Sequence, residues 1–382
     1  MLEINKVLTK RERMLIAMKG GIPDRVPCAP DTNFMIPARM TGKPFWEIFY
    51  YKNPSLWKAY NECVQYFGID GFSHHGICDI PPNPNTETKD EIINQTEERI
   101  VVRNTFKCPA GELTNETVYF NDNPPAELKR FITNFEKQFE CLKYLLFRDV
   151  KNIHFTTYKK IKEDMGDKGV VGLSIPLPRL LSGVREPVEA AFFDYYDNHD
   201  LLTEITELHE NYLINIAQAI IDQNVHPDFV FFSTSGLITM QSENIMKELS
   251  FPTLKRLTKI LKDAGIITSL HCCGKERVLV ELAANETDLN CIDPLEMHPM
   301  GDCELKELKE KFGKKIALKG GLNTIEMLKL SAGDIEQKAR KCLDDAMNGG
   351  GYILSTGDQC GRDTPDENIF KLLEVCEKYG KY

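Results

Sequence analysis

The 382-residue sequence has only two tryptophans and eight histidines, carries no block of lysines and arginines, and contains no long uninterrupted apolar run. Each of these absences removes a class of function. With 47 basic against 57 acidic residues, a formal charge of −10 and a pI near 5.5, the chain cannot present the basic face that nucleic acid requires. Without about 20 consecutive apolar residues it has no membrane-spanning helix. The opening stretch MLEINKVLTKRERMLIAMKGG scatters its charges and lacks the apolar core of a signal peptide, so a cytoplasmic protein is expected. There is no internal repeat and no low-complexity linker, which excludes solenoids and predicts one domain over residues 1–382. In a reducing compartment the twelve cysteines are expected to be free thiols or metal ligands.

What the sequence does have is a recurring order of short apolar runs and amphipathic stretches. Strand-like runs fall at 26–30, 66–76, 170–176, 228–236, 265–274, 290–296, 315–323 and 350–360. Between them, residues 243–264 and the segments around 325–347 space their apolar residues at three and four, as helices do. Thr364-Pro365-Asp366-Glu367 reads as a capping box opening the last helix. Alternating strands and helices predict an α/β fold, a single (β/α)8 TIM barrel with an N-terminal helical extension. Residues 80–125 break the rhythm. IPPNPNTETKD at 80–90 is too polar and Pro-rich for an element, and the turn at Cys108–Gly111 predicts an inserted β-hairpin near the barrel mouth.

In such a barrel the carboxyl ends of all strands meet on one face. Strand by strand these ends read Asp31, His74-His75, Ser233-Thr234-Ser235, His271-x-Cys273, Glu296, Asn323 and Asp358-x-Cys360. His271 and Cys273, two apart, share one face of a strand, while Cys272 faces away and packs. Zinc takes imidazole, thiolate and carboxylate, so His271, Cys273 and Cys360 are candidate ligands, with Glu296 as a fourth that substrate can displace. On spacing alone, an H-x-C pair is more often packing than a metal site. Of His74 and His75, one at most points into the pocket, and His74 is a candidate catalytic residue beside Glu296. Asp31, Asn33, Phe34, Ser233 and Asn323 are candidate substrate contacts; for Asn323 a helix cap is the plainer alternative.

Four separated blocks carry a resemblance: LTKRERMLIAMKGGIPDRVPCAP at 8–30, SLHCCGK at 269–275, DPLEMHPMGDCELKELKEKFGKKIALKGGLN at 293–323 and GGYILSTGDQCGRDTPDENI at 350–369. Together they resemble the uroporphyrinogen decarboxylase superfamily over nearly the whole chain. True decarboxylases of that superfamily carry an R-Q-A-G-R-Y stretch; here residues 31–39 read DTNFMIPAR, which disfavours that activity. The corrinoid-dependent methyltransferases, such as the methylcobamide:coenzyme M enzymes, carry H-x-C and a distant cysteine before a Thr-Pro helix start. By resemblance, His271, Cys273 and Cys360 stand for their zinc ligands, and Glu296 for a carboxylate completing the sphere. Asp358-Gln359 and Ser233-Thr234-Ser235 depart from the usual residues at the pocket mouth.

The resemblance therefore implies a zinc-dependent methyltransferase acting between a corrinoid and a small substrate. That substrate is a methoxylated or methylated donor, as in an O-demethylase, or a thiol acceptor. The D-x-H-x-x-G pattern of a cobalamin-binding domain is absent, because Asp288 and His298 lack that spacing, so the corrinoid is expected on a partner protein. A homodimer is left open. Two other readings stand beside it: a decarboxylase-like lyase without metal, and a non-catalytic corrinoid- or ligand-binding barrel.

Overall fold

The computed structural model describes residues 7–382, so the first six residues of the N-terminal stretch read above lie outside it. Its strands are β1 (Gly71–Gly76), β2 (Glu87–Gln95), β3 (Arg99–Cys108), β4 (Gly111–Phe120), β5 (Ala126–Lys129), β6 (Gly169–Pro176), β7 (Phe229–Ser233), β8 (Thr268–His271), β9 (Cys291–Asp293), β10 (Ala317–Leu322) and β11 (Tyr352–Thr356). Seven of them form one parallel sheet in the order β1-β6-β7-β8-β9-β10-β11, with helices in the connections. These strands are the apolar runs expected from the sequence, and they are buried almost throughout.

The expected closed eight-stranded barrel differs in one respect: the sheet is open between β1 and β11. The first predicted run, at 26–30, lies in that gap without becoming a strand. Cys28 makes a single parallel bridge to Leu354, Leu354 N donates to Pro27 O at 2.9 Å, and Asp70 N donates to Cys28 O at 2.8 Å. Pro27 and Pro30 have no N–H to give, so the segment cannot extend its ladder.

Residues inside the curved sheet follow the two-residue period of each strand. Phe72, Val170, Phe229, Phe231, Ile267, Cys291, Ala317 and Ile353 pack with Met14, Ala17 and Met18 into one apolar cluster. The helix Lys10–Met18 thus plugs one end of the sheet. Its own start is a capping box between Thr9 and Glu12. Its arginines hold the carboxylates that precede two strands: Arg13 reaches Asp70 Oδ1 at 2.7 Å and Arg11 reaches Asp228 Oδ1. That closes the N-terminal end and leaves chemistry to the other.

Three expectations need correction. The inserted hairpin is a four-stranded antiparallel sheet, β2-β3-β4-β5, and β2 begins at Glu87 inside the stretch read as structureless. Every residue of β2 is exposed, so it is an edge strand with no apolar alternation to betray it. The helical stretch 243–264 breaks at Ser250 into Glu243–Leu249 and Phe251–Asp263, with proline in the first turn of the second. At the last helix, Asp366–Tyr379, Pro365 is the N-cap and Thr364 makes no cap bond; the predicted capping box does not form.

One backbone feature positions the site directly. Gly320 in β10 has φ +141°, and a Cβ there would overlap the Pro294 carbonyl oxygen. Only glycine lets β10 pass this close to the turn that carries Glu296. Gly320→Ala is therefore expected to lower stability by about 2–4 kcal/mol. A denaturation midpoint unchanged by that substitution would contradict the account of this contact.

Candidate metal centre

At the carboxyl ends of β8, β9, β10 and β11 the two-residue period stacks polar side chains where apolar ones fill the opposite end. His271 is level with Asp293 across the β8–β9 ladder. Both are buried, and His271 Nδ1 faces Asp293 Oδ2 at 3.4 Å. Asp293 Oδ2 also accepts from Lys319 Nζ at 3.1 Å, and that ammonium sits 4.6 Å above the Phe72 ring. Burial pushes the Asp293 carboxyl up, but Lys319 and His271 outweigh it and bring it down to about 2. For Lys319, burial is likewise outweighed, by Asp293 and Asp31, and the amine is raised. A charged Asp293 therefore fixes the imidazole and leaves Nε2 facing the mouth.

Around that nitrogen His271, Cys273 and Asp358 gather, each offering one ligand atom, all within 4.8 Å of one another. His271 Nε2 lies 3.9 Å from Asp358 Oδ1. Burial lowers the His271 pKa, yet hydrogen bonds to Asp293 and Cys273 and the charges of Asp293 and Asp358 raise it well above the ordinary imidazole value. An imidazole, a thiol and a carboxylate converging from two strand ends form a donor set suited to zinc, and an aspartate behind the imidazole is the usual support for a metal-bound histidine.

The third member of the group is Asp358, where the sequence pointed to Cys360. The backbone of the loop explains the exchange. Asp358 has φ +137°, a conformation side-chain-bearing residues rarely adopt. Neighbouring bonds hold it there: Thr356 Oγ1 donates to Asp358 O at 2.6 Å, Gly357 N donates to Leu322 O at 2.6 Å, and Met35 N donates to Gln359 Oε1 at 2.9 Å. Cys360 N donates to Asp31 O at 2.8 Å, and its buried Sγ lies 3.9 Å from Thr356 Oγ1. Burial, with Asp31 adding to it, pushes the Cys360 thiol up to about 12.

Glu296 is at the rim of the group, its Oε2 accepting from Gly274 N in the turn after Cys273. Burial raises its pKa, opposed by the Gly274 bond and reinforced by Asp358. His74 points inward, stacked on Phe231 at 4.9 Å, with Nε2 sealed from solvent and unpartnered. Burial brings it down to about 4, so it is a neutral imidazole at pH 7. His75 turns the other way, with Nε2 3.0 Å from Asn33 O.

The predicted substrate contacts divide. Asp31 accepts from Asn33 N and Nδ2 at 3.1 and 3.0 Å; burial raises its pKa, but His74 and Lys319 together bring it below the ordinary value. Phe34 lies 5.2 Å from the His74 ring, and Ser233 is level with His271 at the end of β7. Asn323 caps a helix, the plainer of its two expected roles, its Oδ1 accepting from Ile325 N at 2.8 Å and Glu326 N at 3.2 Å. Cys272 is buried in the core as expected.

Asp293 and Lys319 were missed. Their signal is a carboxylate and an amine in otherwise apolar strands, on the face shared with His271. Glu276 was also missed: it is fully buried, its Oε2 accepting from Leu295 N at 3.0 Å, and it braces the turn carrying Glu296.

Residues 180–379 match the family described as Uroporphyrinogen decarboxylase (URO-D), a span that holds β7 to β11 and all three members of the group. Among solved structures, a methyltransferase from Methanosarcina mazei superposes with a TM-score of 0.64 at 16% identity, covering 97% of this chain and 99% of that one. At that identity the likeness is one of fold. No curated protein matches the chain. Among the described residues, no helix is long and apolar enough to cross a membrane.

Proposed function

The chain belongs to the uroporphyrinogen decarboxylase family, and within it we propose that it is a zinc-dependent methyltransferase moving a methyl group between a small substrate and a corrinoid on a partner protein. The observation that carries this reading is the group His271, Cys273 and Asp358 at the strand ends, with Asp293 behind the imidazole. The alternative, a decarboxylase-like lyase without metal, predicts no stoichiometric zinc there. Zinc bound there would supply Lewis acidity, stabilising the charge that changes on the substrate heteroatom as the methyl group arrives or leaves.

The chain's own residues do the rest. Asp293, held charged by Lys319, keeps the His271 ring turned with Nε2 toward the mouth. Glu296 stands at the rim as the carboxylate that substrate approaches, and its raised pKa suits it to take up or release a proton on the substrate heteroatom. The neutral His74, beside Phe34, completes the substrate side of the site with Asp31 and Asn33. Methyl transfer needs an in-line approach, so the corrinoid must come over this face, and a transient complex with its carrier follows. A barrel-like enclosure, with the 26–30 segment filling the gap between β1 and β11 through single backbone bonds and not as a ladder strand, belongs to the same proposal.

The test is methyl exchange between free cobalamin and a panel of thiols, methyl ethers and methylamines, followed by the cobalamin spectrum with zinc-loaded protein. Methylation or demethylation of cobalamin that depends on the enzyme and on one substrate class is the expected result. A zinc-loaded, folded protein that moves no methyl group in either direction would overturn it. Glu296→Gln is expected to keep the metal and to slow transfer about 10- to 100-fold, with the loss growing where substrate must be deprotonated.

A further inference from the structure

The inserted sheet and the helix that follows it meet at sulfur. β3 and β4 close on the pair Cys108 and Gly111, joined by Pro109 and Ala110. Residues paired across two strands point to the same face, so the Cys108 side chain leaves on the side where a side chain at 111 would stand. A Cβ built on Gly111 would lie 3.3 Å from Cys141 Sγ. Cys141 is on the buried face of the helix Phe135–Leu146, in one apolar cluster with Phe139 and Leu142 of that helix and Phe106 and Leu113 of the two strands, and Cys108 packs against its margin. The two thiols are hydrogen-bonded to each other, and burial together with that bond pushes the Cys141 thiol up to about 11.

Access separates this pair from the other sulfurs. All twelve cysteines are free, nine of them buried and three half-buried. Cys28 and Cys376 also meet, but both are fully buried, where no oxidant reaches. Of the half-buried three, Cys273 faces His271 and Asp358, and burial pushes the Cys78 thiol up to about 12. Cys108 combines an open approach, beside the exposed Pro109 and Ala110, with a second thiol in contact.

We propose that Cys108 and Cys141 form a reversible dithiol–disulfide couple, oxidised by low-molecular-weight disulfides, that fastens the turn of the inserted sheet to the helix beneath it. The Cys108 thiolate attacks one sulfur of the small disulfide, whose S–S bond breaks and releases one small thiolate. Cys141 gives its proton to solvent and attacks the mixed disulfide at the Cys108 sulfur; the Cys108–Cys141 bond forms and the second small thiolate leaves. Two protein thiols are oxidised to one disulfide, and one small disulfide is reduced to two thiols. The couple belongs to the inserted sheet, and it stands or falls apart from the methyl-transfer reading.

The test exposes the folded, full-length protein to oxidised glutathione, then alkylates it in denaturant and reads intact mass and peptide map. Wild type is expected to lose two alkylatable thiols without keeping glutathione, to yield a linked peptide pair holding Cys108 and Cys141, and to recover both thiols with dithiothreitol. Cys141→Ser should stop at a glutathione adduct on Cys108, and Cys108→Ser should leave Cys141 unmodified. The bridged wild type is expected to melt about 5 °C above the reduced form, because a closed loop from 108 to 141 restricts the unfolded chain. Two thiols still alkylatable after oxidation, a wild type that stops at the adduct, a bridge between other cysteines, or a bridged protein that melts below the reduced one would overturn the proposal.

Discussion

Asp293→Ala is expected to destabilise the fold by about 3–5 kcal/mol, and Lys319→Ala by a similar amount. Both side chains are 2% exposed, so either substitution strands the other charge in the interior. A buried pair also carries its own desolvation cost, so the double replacement Asp293→Leu with Lys319→Met is expected to recover most of the loss. The pH dependence has a definite sign. The folded Asp293 titrates near 2 against an ordinary 3.8, so its contribution is complete above 3.8 and is lost as pH falls toward 2. Lys319 works oppositely, its raised value preserving stability below 10.5 and losing it only above. Denaturant midpoints of the two single variants and the double variant measure this. Singles within about 0.5 kcal/mol of wild type would mean that the pair does not brace the site.

His271→Ala should remove bound zinc and lower methyl transfer by about a thousandfold, the rate equivalent of several kcal/mol of Lewis-acid stabilisation. Asp293→Asn is the informative companion. It leaves His271 in place with an acceptor of similar shape and removes only the charge behind the ring, so zinc affinity is expected to fall about 10- to 100-fold without disappearing. A His271→Ala protein that keeps its metal would transfer the site to other residues. An Asp293→Asn protein with wild-type affinity would reduce Asp293 to a packing role.

Much of this was legible in the sequence. Short apolar runs bounded by polar or glycine stops placed seven strands of the parallel sheet, because strands buried on both faces leave no other pattern. Strand ends then put His271, Cys273 and the 358–360 segment on one face. Two things were not legible. β2 of the inserted sheet is exposed along its length and held by ladder bonds, so no periodicity marks it. In the 358–360 segment, sulfur chemistry and a family resemblance pointed to Cys360, while the turn at Asp358, with φ +137°, directs a carboxylate at His271 and buries the thiol beside Thr356. The backbone angle at Asp358 brings its carboxylate toward His271 ahead of the Cys360 thiol, and the loop is held by hydrogen bonds to Leu322, Met35 and Asp31, residues far away in sequence. The Asp293–Lys319 pair lies between these cases, since its residues share the inner face with His271 at strand periods but sit in runs that read as apolar.

The most direct measurement is metal content, by elemental analysis, of wild-type protein beside Asp358→Ala and Cys360→Ala, with the cobalt-substituted absorption spectrum of each. The account predicts about one zinc per chain in the wild type and in Cys360→Ala, loss in Asp358→Ala, and a cobalt spectrum with the charge-transfer intensity of a single thiolate. Zinc lost in Cys360→Ala and kept in Asp358→Ala, or a wild-type protein that binds no zinc, would contradict it.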